Sequence, residues 1–230
     1  MFFYDPTYLM YMIPAFILMA LTSWYVKSAY NKWSRVPARI TGQQTAQQLI
    51  AAGNLYGVQI QGVAGDLTDN YDPRSKTLYL SSSVANVASV ASVAIAAHEL
   101  GHAQQDAEGY FPLRFRAALV PIVNVGSNLG WFLIMIGLFL RFTQLAWLGV
   151  LFFAGSAVFA LATLPVEFNA SARAKRLLVQ TGVIRTDEER RGVNAVLNAA
   201  ALTYVAGLVT AILQLLYYVS LVGGNGRRRG

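Results

Sequence analysis

The sequence is poor in the residues that stabilise small secreted domains and in those that cover soluble ones. It has no cysteine, which excludes a disulfide framework. Only 13% of its 230 residues are charged, whereas soluble domains usually contain about a quarter charged residues. Apolar residues make up 55% of the chain, and the mean hydropathy is +0.43. This composition excludes a disordered chain and makes a purely soluble enzyme a poor explanation.

Four apolar stretches are each long enough to cross a bilayer, which requires roughly 20 mainly apolar residues. They cover residues 8–26, 117–140, 145–166 and 199–222. The first has no basic start and no obvious small-residue cleavage site, so we expect a retained anchor rather than a signal peptide. Three spans, or a fourth stretch that enters the bilayer without crossing it, are the alternatives.

Two polar regions, 27–116 and 167–198, lie between these stretches. Two apolar stretches separate them, so we expect both regions on the same side of the membrane. Basic residues flank the apolar stretches on that side, namely Lys27, Lys32, Arg35, Arg39, Arg114, Arg116, Arg173, Lys175, Arg176 and Arg185. This excess predicts that the shared side is cytoplasmic. The basic tail, Arg227 to Arg229, would then lie on the opposite side, and the sequence leaves this conflict open.

The polar regions contain two predicted strands and four predicted helices, one of which begins at Glu167. Two of the helices are marked by capping boxes, Thr41 with Gln44 and Thr186 with Glu189. The third helix is expected to begin near Val84 and to continue past His102. The strands are expected at 56–63 and 76–81, and the turn formers at 69–73 predict a turn between them.

The segment His98-Glu99-Leu100-Gly101-His102 matches the HExxH pattern. Residues four apart share one face of a helix, so the two imidazoles can bind one metal ion from adjacent turns. Glu99 projects to the side, where it can reach a water at the metal. The chain has only two histidines, and both lie in this motif. A pair of capping or core histidines is the alternative.

Catalytic zinc usually takes three protein ligands and leaves one position open. With no third histidine and no cysteine, the third ligand must be one of the 11 acidic residues. Most are disfavoured by their position: Asp5 precedes the first stretch, Asp66, Asp69 and Asp72 lie in the expected turn, Asp106 and Glu108 follow the motif too closely, and Asp187, Glu188 and Glu189 cap a helix. Glu167 remains, and it lies on the same side as the two histidines. A charge at headgroup level is the alternative for Glu167.

The helix expected to begin at Glu167 carries small residues on one face. Ala170, Ser171 and Ala174 follow Glu167 at three, four and seven positions, which is helical spacing. Gly101 on the motif helix has no side chain and so matches this face of small residues. The two helices can therefore approach closely.

Several segments, taken in order, resemble the YugP-type family of membrane zinc metallopeptidases. They are residues 65–73, 77–81, 97–103 and 165–171, and the likeness extends over most of 35–180. More distantly, the chain resembles the HtpX-like peptidases, which place a membrane hairpin between HExxH and the Glu ligand. The resemblance implies zinc at His98, His102 and Glu167 and a catalytic base at Glu99, the residues already reached above.

The chain departs from the pattern of these relatives at three polar positions. The family often has His where Asn70 stands and Asp where Asn169 stands, and the distant relatives carry Asp in place of Ser171. A carboxylate that would orient a ligand histidine is therefore not expected at these positions.

We therefore predict a mainly α membrane protein with about four transmembrane helices and a small α+β, zincin-like catalytic domain that carries HExxH on a helix. Its regions are an N-terminal anchor (1–26), a catalytic region (27–116), a transmembrane hairpin (117–166), a helical region with the third zinc ligand (167–198), and a C-terminal membrane helix with the basic tail (199–230). We expect an integral protein of a bacterial-type plasma membrane, with its active site facing the cytoplasm.

The predicted function is that of an endopeptidase with one Zn²⁺ per chain, in which zinc-activated water attacks the peptide bond and Glu99 is the general base. The second strand could form a sheet edge to which a substrate peptide adds. The side chains expected near the substrate or the oxyanion are Tyr71, Tyr79, Tyr110 and Arg173. The expected partners are membrane lipids and polypeptides, and membrane or misfolded proteins are the first substrates to consider, although no residue indicates them.

Other functions are less well supported by the sequence. Nucleic acid is not an expected partner, because the basic residues lie beside the spans rather than on one soluble face. An intramembrane protease would need an acidic ligand inside a second span, and no span has one. A transporter usually carries ionisable groups at mid-membrane. A weak or inactive scaffold or chaperone that retains the motif is the main alternative. The sequence does not indicate the oligomeric state.

Overall fold

The computed structural model describes residues 5–227, and the side chains of residues 5–224. The described part contains seven helices and three strands. In chain order they are α1 (Pro6–Trp33), α2 (Gly42–Ala52), β1 (Gln59–Val63), β2 (Asn70–Asp72), β3 (Thr77–Ser81), α3 (Ser82–Ala85), α4 (Val90–Ala107), α5 (Phe111–Phe139), α6 (Thr143–Gln180) and α7 (Asp187–Arg227).

Four of these helices, α1, α5, α6 and α7, are long and apolar enough to cross a membrane by length and composition. Their outward faces carry large exposed apolar side chains such as Phe16, Trp24, Phe132 and Leu151. Such faces suit a lipid environment, because water would penalise so much exposed apolar surface. The predicted fold class is confirmed. In the basic tail, Arg228 and Arg229 lie outside the described residues, as does the side chain of Arg227.

The chain divides into two compact units. The membrane unit contains the described residues up to Thr22, Phe115–Leu164, and the residues from Thr203 onward. The site unit contains Ser23–Arg114 and Pro165–Leu202, and it holds HExxH together with Glu167. The five regions predicted from the sequence stay predictions.

Both predicted capping boxes are present. The side chain of Thr41 accepts a hydrogen bond from the Gln44 N–H, and the Gln44 side chain accepts from the Thr41 N–H, while Gly53 caps the end of α2. At the start of α7, Thr186 and Glu189 exchange the same pair of bonds. These local polar contacts satisfy N–H groups that a helix start leaves without partners.

The expected single helix from Val84 past His102 is wrong. The chain forms the short α3, leaves the helical path, and begins α4 at Val90, where the Ser89 hydroxyl accepts from the Ser92 N–H. Residues before α4 also pair with an earlier segment: the Ala38 N–H donates to the Ala88 carbonyl, and the Val90 N–H donates to the Val36 carbonyl. These bonds satisfy the backbone in an extended conformation and so end the helix.

The three strands form one sheet in the order β1-β3-β2, with β1 parallel and β2 antiparallel to β3. β3 is therefore the central strand, and the prediction that it forms a sheet edge is wrong. The segment 69–73, expected as a turn, contributes β2, since Asn70 pairs with Tyr79 and Asp72 with Thr77. An outer strand needs only backbone pairing, so its side chains need not follow a strand pattern. The turn-forming residues of this segment therefore gave no sequence signal for β2.

The core of the site unit is built around α4. Leu78 and Leu80 of β3, Val93 and Leu100 of α4, and Leu178 of α6 are at most 1% exposed and belong to one apolar cluster. Fully burying a side chain of this size contributes roughly 1.5–3 kcal/mol. The cluster fixes α4 between the sheet and the later helices, and this placement determines where the HExxH side chains lie.

Candidate metal centre

Three potential ligands converge where α4 meets α6. His98 and His102 lie on adjacent turns of α4, with ring centroids 4.9 Å apart and ring planes at 86°. The Glu167 carboxylate is 3.2 Å from Nε2 of His98 and 3.4 Å from Nε2 of His102. One ligand atom from each of the three residues lies within 4.8 Å of the others. Glu167 is only 3% exposed, so its charge requires partners at this position.

The close approach of the two helices depends on small residues, as the sequence predicts. A Cβ atom added to Gly101 would lie 2.4 Å from the main-chain oxygen of Ala170, which is shorter than any normal contact. Ala170 and Ala174 are fully buried on the facing side of α6. The absent side chain at Gly101 thus allows α6 to bring Glu167 to the two imidazoles.

Each imidazole has a second polar partner on its other nitrogen. Nδ1 of His98 is 3.2 Å from the hydroxyl of Ser171, and Nδ1 of His102 is 3.0 Å from Oε1 of Gln105. In zinc sites such partners orient the ring and leave the opposite nitrogen available to the metal. Here they are neutral groups rather than carboxylates.

The donor set fits zinc. Two imidazole nitrogens and one carboxylate oxygen are common zinc ligands. Tetrahedral zinc with bonds of about 2.0–2.1 Å separates its ligand atoms by about 3.3 Å, close to the 3.2 and 3.4 Å found between Glu167 and the two histidines. The two separations that involve Glu167 therefore match those of a tetrahedral zinc site, and all three ligand atoms lie within 4.8 Å of one another.

Glu99 lies beside this cluster and is held by the sheet. The Tyr71 main-chain N–H, on β2, donates to Oε2 of Glu99 at 3.0 Å. Burial raises the pKa of Glu99, and the neighbouring His98 and His102 oppose that rise. A carboxyl with a raised pKa is better suited to exchanging protons near neutral pH than an ordinary one.

His102 is also electrostatically perturbed. Burial disfavours its charged form, but hydrogen bonding to Glu167 and the charges of Glu99 and Glu167 outweigh burial, and its pKa is raised. In the metal-free protein, a proton therefore occupies this ring more readily than in solution. Zinc has to displace that proton when it binds.

The four side chains predicted near the substrate have other described contacts. The Tyr71 hydroxyl donates to Asp106 at 2.9 Å, and burial together with this bond raises the pKa of the phenol. The Arg173 guanidinium lies 5.7 Å from the centre of the Tyr110 ring and forms a 2.7 Å ion pair with Glu108. Tyr79 lies in the middle of β3. Their roles in substrate contact stay predictions.

Sequence reasoning missed Gln105. It is fully buried and contacts His102 as well as α6. Its position three residues after His102 places it on the ligand face of α4, which is the only sequence signal that could have indicated it. From the sequence, Asn169 was noted only as a departure from a family pattern and Ser171 as a departure and a small residue, yet Ser171 contacts His98 and Asn169 contacts Gln105.

A helical membrane protein that brings HExxH and a distant glutamate to one ligand cluster has the character of a membrane zinc metallopeptidase. The chain belongs to the family described as "Putative neutral zinc metallopeptidase", whose model matches residues 8–223. It is 43% identical over 204 residues to "Putative membrane protease YugP" of Bacillus subtilis (strain 168), an alignment that covers 88% of this chain and 90% of that protein. No solved structure matches the chain. The resemblance stated from the motifs is confirmed.

Proposed function

We propose that the protein is a membrane-embedded endopeptidase in which His98, His102 and Glu167 bind one Zn²⁺ and Glu99 is the general base. The observation that carries this proposal is the convergence of the three ligand atoms within 4.8 Å, beside a carboxyl that β2 holds in place. Membership of the zinc metallopeptidase family supports the metal and the reaction class.

The chain's own groups have separate tasks in this mechanism. When bound, zinc would supply Lewis acidity, which polarises a carbonyl and lowers the pKa of a water toward about 7. Glu99 takes the proton from the attacking water and passes it to the leaving amine. The raised pKa of Glu99 strengthens it as a base for the first transfer, and the Tyr71 N–H keeps the carboxylate oriented between the two transfers.

We propose a polypeptide substrate that runs beside β2. β2 lies at the outside of the sheet, and its Tyr71 N–H donates to Glu99. Because that N–H is already used, we propose that an extended peptide passes the general base without replacing the bond from Tyr71 to Glu99. Membrane or misfolded proteins are the substrates we propose, since the chain that carries the site also has four helices apolar enough to cross a membrane.

We also propose that the site faces the cytoplasm of a bacterial-type cell. The basic residues that flank the spans support this orientation. The homologous protein of B. subtilis is described as a membrane protease, in keeping with a membrane location for the chain.

The experiment replaces Glu99 by Gln and measures hydrolysis of a dye-quenched, unfolded casein by the detergent-solubilised protein. We expect Glu99→Gln to retain zinc and to lose activity by about 10²–10⁴-fold, the usual contribution of a general base. Glu188→Gln makes the same change at an exposed position in the first turn of α7 and should keep full activity. Normal hydrolysis by Glu99→Gln would refute the mechanism.

A further inference from the structure

Gln105 links both ligand-bearing helices through three hydrogen bonds. Its Oε1 is 3.0 Å from Nδ1 of His102 on α4, and its Nε2 donates to the Val166 carbonyl at 2.8 Å and to Oδ1 of Asn169 at 3.0 Å on α6. The side chain is fully buried, so water cannot replace any lost partner. Both acceptors on α6 lie within two residues of Glu167.

The direction of these bonds is fixed by neighbouring groups that can act only as acceptors or only as donors. A main-chain carbonyl can only accept, so the Gln105 nitrogen must face Val166. The Nε–H of Arg173 can only donate, and it donates to Oδ1 of Asn169 at 2.7 Å. The atom of Asn169 that faces Gln105 is therefore an oxygen, which again requires the Gln105 nitrogen on that side.

The orientation of Gln105 determines whether Nδ1 of His102 carries a hydrogen. With its nitrogen on α6, Gln105 presents its oxygen to Nδ1 of His102, so that nitrogen must carry the hydrogen. The hydroxyl beside His98 differs, because Ser171 can either donate or accept. Of the two Nδ1 atoms, only that of His102 faces a partner that dictates whether it carries a hydrogen.

We propose that Gln105 is a positioning residue, which holds the hydrogen of His102 on Nδ1 and so presents the lone pair of Nε2 to the metal beside Glu167. The consequence for zinc rests on the proposed function, whereas the hydrogen bond itself does not. A neutral amide here takes the place of the carboxylate that often orients a ligand histidine. It also ties the ring to the segment of α6 that carries the third ligand.

The test uses nitrogen-15 histidine labelling of the full-length, detergent-solubilised protein. The chain has only two histidines, so the spectrum contains just two rings. We expect the metal-free parent to show a His102 Nδ1–H signal that exchanges slowly with water. Gln105→Met has similar length without polar atoms, and it should lose this signal while the His98 ring is unchanged. Gln104→Met is the matched control on the same helix and should leave both rings unchanged.

Zinc affinity gives the second readout. We expect Gln105→Met to bind zinc about 10–100-fold more weakly, as is usual when a partner of a ligand histidine is removed, and Gln104→Met to bind normally. An unchanged Nδ1–H signal or an unchanged zinc affinity in Gln105→Met would overturn the proposal.

Gln105→Glu decides the matter if Gln105→Met does not fold. It keeps an oxygen for His102, so the Nδ1–H signal should persist, and its loss in this variant would contradict the proposal. A parent that shows the slow signal but binds no zinc would refute the proposed function, and the hydrogen bond from His102 to Gln105 would stand.

Discussion

Glu99 is subject to two opposing requirements at the scale of single residues. As the base we propose, it must be ionised, but burial favours its neutral form and raises its pKa. The Tyr71 N–H and the nearby imidazoles stabilise the charge without removing the rise. The result is a carboxyl that can both accept and return a proton.

The raised pKa of His102 predicts how stability depends on pH. The folded, metal-free protein binds this proton more tightly than the unfolded chain, so the stabilisation is fully present below the ordinary imidazole pKa of 6.5. It is lost as the pH rises through the raised value. We expect the apparent melting temperature of zinc-free protein to fall over this window. The pKa of Glu99 is also raised, so its contribution to stability likewise decreases as the pH rises.

The control for this prediction is the zinc-saturated protein. Zinc competes with the proton on His102, so its binding strengthens as the pH rises. We expect the difference in melting temperature between saturated and zinc-free protein to grow over the same window. A zinc-free protein that becomes more stable as the pH rises there would contradict the account.

How much of the site could be predicted from sequence depends on the rarity of each residue type. Glu167 could be reached by elimination, because the chain has only 11 acids and two histidines. Gln105 could not, since amides are not among the usual zinc ligands and its role depends on the main-chain oxygen of Val166, 61 positions away. The partners of Arg173 could not be predicted from the sequence either, because its ion pair with Glu108 depends on how α4 and α6 pack.

At the scale of elements, the contact between α4 and α6 is the structural requirement for the site. Gly101→Ala would place a Cβ atom 2.4 Å from the Ala170 oxygen, so the helices must separate. We expect a loss of about 1–3 kcal/mol in unfolding free energy, typical of overpacking, together with weaker zinc binding. Denaturant unfolding and zinc titration measure the two effects.

Gly62 of β1 offers the matched control for this substitution. A Cβ atom there would meet nothing within 4 Å, so Gly62→Ala should keep normal zinc affinity. Zinc affinity and stability equal to the parent's in Gly101→Ala would show that the close approach is not required.

Elements marked by a local signal were predictable, and those created by pairing were not. The starts of α2 and α7 follow from capping boxes in the sequence. β2 depends on its pairing with β3, and the break before α4 depends on hydrogen bonds to residues 36 and 38. Such distant partners leave no periodic pattern in a short segment.

At the scale of the whole molecule, hydropathy alone predicted the four long apolar helices. The absence of native cysteine allows their topology to be tested by labelling single introduced cysteines in intact bacterial cells with an impermeant maleimide. Ser75→Cys, in the exposed turn after β2, should react only after lysis, because we place the site in the cytoplasm. Gln144→Cys, between the second and third spans, should react in intact cells.

Gly224→Cys reports on α7 in the same assay. It should react in intact cells if α7 crosses the membrane, and only after lysis if it does not. Labelling of Ser75→Cys in intact cells, with Gln144→Cys protected, would reverse the proposed orientation.

We propose above all that two helices of this membrane protein build one zinc site from His98, His102 and Glu167. The most direct measurement is the zinc content of the purified, detergent-solubilised protein beside Glu167→Ala, with chelators avoided and Glu188→Gln as the control. We expect about one zinc per chain in the parent and in Glu188→Gln, and much less in Glu167→Ala. A parent without zinc would contradict the metal site, and full zinc content in Glu167→Ala would contradict its third ligand.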